Sequence, residues 1–496
     1  MHLTRRSRLL WIGGTPEPIC IAECASRELT LDVLGAPLSL IHRTQGRAII
    51  IALDDRAADA RLTDELRILL KDAACHGIKG FITCSYADSP KVAEILKAWR
   101  MRDIIDVKLR GQEASIIETI ARIEHEPPVS ESLVITGADS LTDEELILLK
   151  RAFCDCSSVK LVKQTTGSAK VYCAFASLLN SRVGPVPLPF FVKFDKAQKI
   201  IRELTNYREC TTLHVPFNQR PNLDHDRCLV GPTRGVIAGN FIEQSEALQE
   251  VVDRGAGRAP LHSLFEGALR GWRRQAFYAP NYVLDANILQ RMRLARPTSY
   301  SPFRKARLRR RRTQAGQHCY EFEALESLLA SLPPMKHRLG LTHGDLHGQN
   351  VRVAGNEAIM LDFASIDDGP LTVDPAALDV SLMIDTRIIN GDDWIKVAEE
   401  AYTVEALMAP AIPPRPEQPS ANLLDAIQYV RQMAFSVQLT PCEYPCVVAL
   451  QLLRKASYAG PDEEQERRRR FAYRLADRII KEVARRTSAV TQHNVA

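Results

Sequence analysis

Short apolar runs alternate with helix-period segments over the first quarter of the chain. The runs at 9–13, 29–33, 48–53, 78–83 and 103–107 are rich in Leu, Ile and Val. Between them, 63–75 and 89–99 repeat apolar residues every three or four positions, and 115–123 supplies a last helix. Strands alternating with helices predict a parallel sheet covered on both faces. Glu126-Pro-Pro128 breaks that pattern and marks a boundary. Thr142-Asp-Glu-Glu145 then opens a helix as a capping box. Strands follow at 159–163, 171–175 and 189–194, the first two joined through Thr165-Thr-Gly-Ser-Ala-Lys170. A helix is predicted over 199–209, and 234–243 is a strand running into a connection. Beyond this the periodicity is mainly helical, at 245–254, 260–278, 282–295 and 321–332 and again after residue 370. Two short strands, 351–353 and 358–361, interrupt it with Gly355-Asn356 as their turn. Three parts are expected: an α/β domain over 1–125, a linker helix with a small sheet over 126–245, and a helical part over 246–496.

Composition changes this picture little. A chain of 496 residues is long for one core, and its apolar content of 45% with 25% charged residues is that of an ordinary soluble globular protein. A net charge of +5 selects no class of partner at this length. No uninterrupted apolar run approaches the roughly 18 residues of a membrane span. The basic start before Leu9 leads into an apolar run too short for a secretory signal, so it reads as a first strand. The 12 Cys are scattered, and the close pairs Cys154/Cys156 and Cys442/Cys446 belong to no zinc-type quartet. Buried free thiols in a reducing cytoplasm are expected.

The candidate chemistry lies in Leu341-Thr-His-Gly-Asp-Leu-His-Gly-Gln-Asn350, followed by Ile359-Met-Leu-Asp-Phe363. The segment from His343 cannot be a regular helix, and the hairpin after it folds back to return Asp362 close to Asn350. Three oxygen-bearing side chains then converge: Asp345, Asn350 and Asp362. Phosphoryl transfer from a nucleotide needs such a set, one carboxylate for the attacking hydroxyl and its proton, an amide and a second carboxylate for magnesium. The spacing H-x-D-x-x-x-x-N with D-F further on matches the protein-kinase template, and HGDLHGQN resembles the aminoglycoside phosphotransferase/choline kinase-like branch. The resemblance covers roughly 150–400. It implies an α+β two-lobed protein-kinase-like domain with a largely helical C-lobe, ATP and Mg2+ as cofactors, and a hydroxyl of a small molecule or a protein as acceptor. By position it makes Asp345 the catalytic base and Asn350 and Asp362 the metal ligands.

The same resemblance assigns nucleotide contacts. The turn with Gly167 and Ser168 would lie over the phosphates, although an ordinary hairpin turn has the same sequence. Lys193, alone among apolar residues in Pro189-Phe-Phe-Val-Lys-Phe194, takes the phosphate-binding lysine role, with a lysine snorkelling at a sheet edge as the other reading. Glu203 is its implied partner and Glu209 the alternative. Asn240, Phe241 and Ile242 fall where the family's hinge offers backbone groups to adenine. Asp379 matches the Asp that braces the catalytic loop, while Asp374 before Pro375 reads as a helix N-cap. His343 and His347 read as structural.

The first domain resembles a flavodoxin-like receiver domain in topology. Gly13-Gly14 stands where a receiver keeps its metal-binding acids, Asp54 and Asp55 end the third strand, Thr83 or Ser85 ends the fourth, and Lys108 follows the fifth. A docking or regulatory module with a protein partner is implied. A non-catalytic nucleotide-binding signalling module is therefore the alternative to a working phosphotransferase. The run Arg304-Lys-Ala-Arg-Leu-Arg-Arg-Arg-Arg312 could meet nucleic acid or anionic lipid, but no aromatic platform or reading helix accompanies it, and it reads as a solvated insertion or a contact for acidic surface on a partner.

Overall fold

A computed structural model describes residues 8–34, 46–53, 62–102, 104–122, 127–164, 169–180, 184, 186–278, 283–292, 295–316, 318–409 and 420–493. The chain forms two compact units, residues 1–201 with 223–241, and residues 202–222 with 242–496.

The first unit holds two sheets. β1 (Arg8–Gly13), β2 (Thr30–Leu34), β3 (Gly46–Ala52), β4 (Lys79–Cys84) and β5 (Ile105–Leu109) are all parallel, in the order β2-β1-β3-β4-β5. The period of two along each strand divides their side chains between two cores. Leu9, Trp11, Ala48, Ile50 and Phe81 pack with α1 (Pro18–Ser26) and α4 (Glu113–Arg122). Leu10, Ile49, Ile51 and Ile82 pack with α2 (Asp64–Cys75) and α3 (Ser89–Trp99). A sheet of near-continuous aliphatic strands is what two covered faces require. Gly13 ends β1 with φ of 111°, and a Cβ there would stand 2.1 Å from the Ala52 carbonyl oxygen. Asp54 and Asp55 lie outside the described residues.

The second sheet runs β10-β11-β9-β8-β7-β6, from β6 (Val134–Thr136), β7 (Cys156–Gln164), β8 (Lys170–Leu178), β9 (Leu188–Lys196), β10 (Leu229–Val230) and β11 (Arg234–Asn240). Helix α5 (Asp143–Ala152) begins at the expected capping box, Thr142 accepting from Glu145 N and the Glu145 carboxylate from Thr142 N. The buried Glu145 carboxylate also accepts from Lys170 at 2.6 Å and Arg234 at 2.5 Å, which fixes the helix to two strands. Each sheet has its own core, yet both lie in one unit. Arg151 on α5 is buried and donates to the Cys75 carbonyl at the end of α2 and to the Pro127 carbonyl. Helix α6 (Ala197–Asn206) follows β9, and the division between units passes between Ile201 and Arg202.

The second unit is mainly helical around two small sheets. One is β12 (Glu246–Ala247), β15 (Val351–Ala354) and β16 (Glu357–Met360); the other is β13 (Val283–Ala286), β14 (Met335–Thr342) and β17 (Asp367–Pro370). The helix expected over 282–295 is absent. Val283–Ala286 alternates its exposure and pairs antiparallel with β14, and Ile288–Arg291 forms a 3-10 turn that buries Ile288 and Leu289. Ile288, Leu289 and Met292 are buried at offsets that a helix would also give, whereas Val283 is exposed and held by its pairing with β14. The basic run is likewise no loose insertion. It forms α7 (Pro302–Ala315), which packs on the terminal helix. Helices α8 (Val373–Asp385), α9 (Ala421–Phe435), α10 (Glu443–Ala456) and α11 (Glu463–His493) complete the unit, with α8 and α10 almost wholly buried. Among the described residues no helix is long and apolar enough to cross a membrane. The cysteines are free thiols, most of them buried.

Candidate active site

Strand β14 delivers the chain to the loop 343–350, and β15 and β16 bring it back. Val351 pairs with Met360, and Leu361 N donates to Asn350 O at 2.8 Å, so Asp362 follows directly on the residue bonded to Asn350. The Asn350 side-chain amide donates to the Asp345 carbonyl at 3.0 Å. That bond uses the nitrogen end and leaves the amide oxygen as the atom suited to a cation. Asp362 adopts φ 62°, ψ 74°, a left-handed conformation that costs a non-glycine residue about 1 kcal/mol or more. Strain of this kind collects where a side chain must be aimed rather than relaxed. Among the described residues, no group of three or more His, Cys, Asp or Glu is arranged to hold a metal by itself.

The loop is braced from beneath. His343 is buried, with its Nε2 2.8 Å from the Leu361 carbonyl, so one imidazole ties the start of the loop to the Asp362 turn. Phe363 lies against the His343 ring at 5.8 Å and the Tyr207 ring at 5.9 Å, and its carbonyl accepts from Asn206. Gly344, at φ 72°, makes the bend that a side chain would oppose. The carboxylate of Asp374 accepts from His343 N at 2.8 Å and Gly344 N at 3.0 Å. This corrects the expected roles. Thr372 occupies the α8 N-cap, and Asp374, in the first turn, braces the loop. Asp379 instead accepts from Arg431 at 2.7 Å, Tyr402 at 2.7 Å and Tyr444 at 2.8 Å, a buried knot between helices.

Asp345 has a partner that the motif did not disclose. Arg454 on α10 donates to its carboxylate at 2.8 Å and to the Gly344 carbonyl at 2.6 Å. Burial alone would raise the Asp345 carboxyl; the Arg454 charge, with His347 and His343 adding to it, overrides burial and holds it below the usual carboxylate range. Burial also brings His347 down to about 4, so its imidazole is neutral at pH 7. A shallow recess opens beside Gly344 and Arg454, with Arg291, Thr342, Asp367, Asp368 and Gln451 among its lining.

Of the nucleotide residues, Lys193 stands on β9 of the first unit, paired in register with Ile237 and Val171, and is 8% exposed. Glu203 belongs to the second unit and is 7% exposed, whereas the Glu209 side chain is 62% exposed and faces Arg208. Burial therefore favours Glu203 for a structured role. Asn240 ends β11, and the division of the chain falls between Phe241 and Ile242. Gly167 and Ser168 lie outside the described residues.

Residues 249–411, which contain the braced loop, match the model of the phosphotransferase enzyme family, APH. That segment, about a third of the chain, is similar to the phosphotransferase enzyme family. No curated protein matches the sequence. Among solved structures, an amicoumacin kinase in complex with AMP-PNP, Ca2+ and Ami is 12% identical, with 69% of this chain and 94% of that chain covered at a TM-score of 0.38. A choline/ethanolamine kinase family protein from Mesorhizobium loti is 13% identical, with 66% and 92% covered and a TM-score of 0.35. A choline kinase from Cryptosporidium parvum is 12% identical, with 71% and 93% covered and a TM-score of 0.34. These likenesses carry no argument about activity. The phosphotransferase-family segment spans the candidate base, both candidate metal ligands and the bracing Asp374. Arg454 lies beyond it. Its signal in the sequence is slight: Arg454 and Lys455 close the stretch 447–453, which is apolar but for Gln451.

Proposed function

We propose that this protein is a magnesium- and ATP-dependent phosphotransferase that acts on a hydroxyl group. The observation that carries the reading is the single hydrogen-bonded hairpin that sets Asp345, Asn350 and Asp362 on adjoining turns, inside the family-matched segment. The hydroxyl oxygen of the acceptor forms a bond to the γ-phosphorus. The bond from that phosphorus to the β–γ bridging oxygen breaks, its electron pair leaving on ADP, and the hydroxyl proton passes to the Asp345 carboxylate. Asn350 and Asp362 would hold magnesium. Their two hard oxygen donors suit that ion, and when bound it would neutralise phosphate charge. Lys193 and Glu203 take the phosphate-binding and supporting roles, and Asn240, Phe241 and Ile242 form the hinge.

The first parallel sheet is read as a flavodoxin-like, receiver-like module that docks a protein partner in the cytoplasm. Its order 2-1-3-4-5 supports this. The need for glycine at Gly13 explains why no acid occupies that end of β1. Transfer of label from γ-labelled ATP to a metabolite and protein extract tests the function. The wild type should label an acceptor, and Asp345→Asn should lower turnover by about 10²-fold or more with nucleotide affinity retained. Equal turnover in the variant would remove Asp345 from the chemistry, and no labelling by the wild type would favour a non-catalytic nucleotide-binding module.

A further inference from the structure

The basic run turns part of its charge inward. On α7, Arg304, Arg307, Leu308 and Arg311 share one face at offsets of 0, 3, 4 and 7. Arg304 donates to the Ser457 hydroxyl at 2.8 Å, Arg307 to the Ser457 carbonyl at 3.0 Å, and Arg311 to the Tyr458 and Glu466 carbonyls at 3.1 and 3.0 Å. The Arg304 guanidinium is sandwiched between the rings of Tyr300 at 3.8 Å and Tyr458 at 4.5 Å. Arg454 Nε lies 3.4 Å from the hydroxyl of that same Tyr458, and its other nitrogens hold Gly344 and Asp345. One exposed tyrosine thus links the arginine helix to the candidate catalytic loop.

The charges in this place do not balance. Arg304, Arg307, Arg311, Arg454, Lys455 and Arg469 gather around α10 and the start of α11, and the carboxylates paired with them are Asp345, Asp385 and Glu466. Among the described residues Arg304 and Arg307 have no carboxylate partner. Arg469 is 8% exposed; it reaches Asp385 only at 3.7 Å, and its Nε is buried without a hydrogen bond. Burial brings the Arg311 guanidinium down to about 10, with the neighbouring Arg469 and Arg307 charges acting in the same direction against Glu466. Half-buried like charges cost stability unless an anion joins them. A solvated helix would have turned these side chains outward, as Arg309 and Arg310 are turned.

We propose that the hydroxyl acceptor is a small anion, its phosphate or carboxylate held by Arg304, Arg307 and Arg454, with its hydroxyl presented to Asp345. This rests on the phosphotransferase reading for the transfer step, though the anion site itself does not. Arg454, which touches both the Tyr458 hydroxyl and the Asp345 carboxylate, brings this anion site beside the base.

The test uses the wild-type full chain without nucleotide or magnesium, with inorganic phosphate as the probe and chloride at equal ionic strength as control. Arginines are modified with phenylglyoxal and located by peptide mass spectrometry. Phosphate should slow modification of Arg304 and Arg307 several-fold and leave Arg309 and Arg310 unchanged. In calorimetry the double variant Arg304→Gln, Arg307→Gln should bind phosphate at least about tenfold more weakly, since losing even one of its two charge-assisted contacts costs about that much, while Lys193→Met binds it as wild type does. Equal modification in phosphate and chloride, or phosphate affinity that falls with Lys193 instead, would overturn the anion site whatever the fate of the double variant. Protection at Arg304 and Arg307 in a protein that binds no Mg-ATP would keep the anion site and remove the phosphotransferase reading.

Discussion

The Asp345–Arg454 pair decides how the candidate base behaves with pH. Its carboxyl is depressed in the fold, so the pair's stabilisation is present above the unfolded carboxylate range, near about 3.9, and lost as pH falls through the folded value. The base then stays ionised across neutral and mildly acidic pH. Replacing Arg454 by Met should let burial dominate, raise the Asp345 carboxyl and move the acid limb of the pH–rate profile to higher pH. An acid limb that stays in place would show that Arg454 does not set this ionisation. Legibility at this scale follows locality. Asp345, Asn350 and Asp362 were readable because loop and hairpin are contiguous, so spacing alone carries their geometry. Arg454 is 109 residues from Asp345, and no spacing rule spans that distance. Asp374 and Asp379 were both visible, but which of two residues five apart on α8 reaches the loop depends on the rotation of the helix. Only packing sets that rotation.

Helix α10 shows how an element stores a polar group at a cost. Glu443 in its first turn accepts from the Thr372 hydroxyl at 2.8 Å and Leu439 N at 3.1 Å, yet burial dominates and pushes its carboxyl up to about 7. A carboxyl raised in the fold contributes stability that is full below its unfolded range, near about 4.3, and is lost as pH rises through about 7. Glu443→Gln mimics the protonated form, its amide able to donate to Thr372 and accept from Leu439. Its Tm should match the wild type near pH 5 and exceed it near pH 8. A wild-type Tm that does not fall relative to the variant over that interval would contradict the assignment. The elements misread from sequence share a cause. The strand at 283–286 and the inward face of α7 are defined by long-range partners, β14 and α10 with α11, which override local pattern and charge.

Across the molecule, two sheets with separate cores share one compact unit, joined at a buried arginine. Arg151 would lose its Cys75 acceptor if residues 1–125 were removed. The amides of β1, β3 and β4 should therefore exchange hydrogen together with those of β7, β8 and β9 in native-state measurements under mild denaturant. Exchange of the first sheet at a lower free energy, independent of the second, would show instead that residues 1–125 open as a separate domain. The parallel character of the first sheet was legible because strands alternate with helices; the pairing of its domain with the next was not, since contacts such as Arg151 to Cys75 are long-range. The central claim concerns the other unit, where Asn350 and Asp362 are proposed to bind nucleotide through magnesium. Calorimetry with ATP, in the presence and absence of magnesium, on wild type and Asp362→Ala tests it most directly. The wild type should bind Mg-ATP at least about tenfold more tightly than metal-free ATP, and the variant should lose that difference while keeping the metal-free affinity. Equal Mg-ATP affinity in the two proteins would contradict the account.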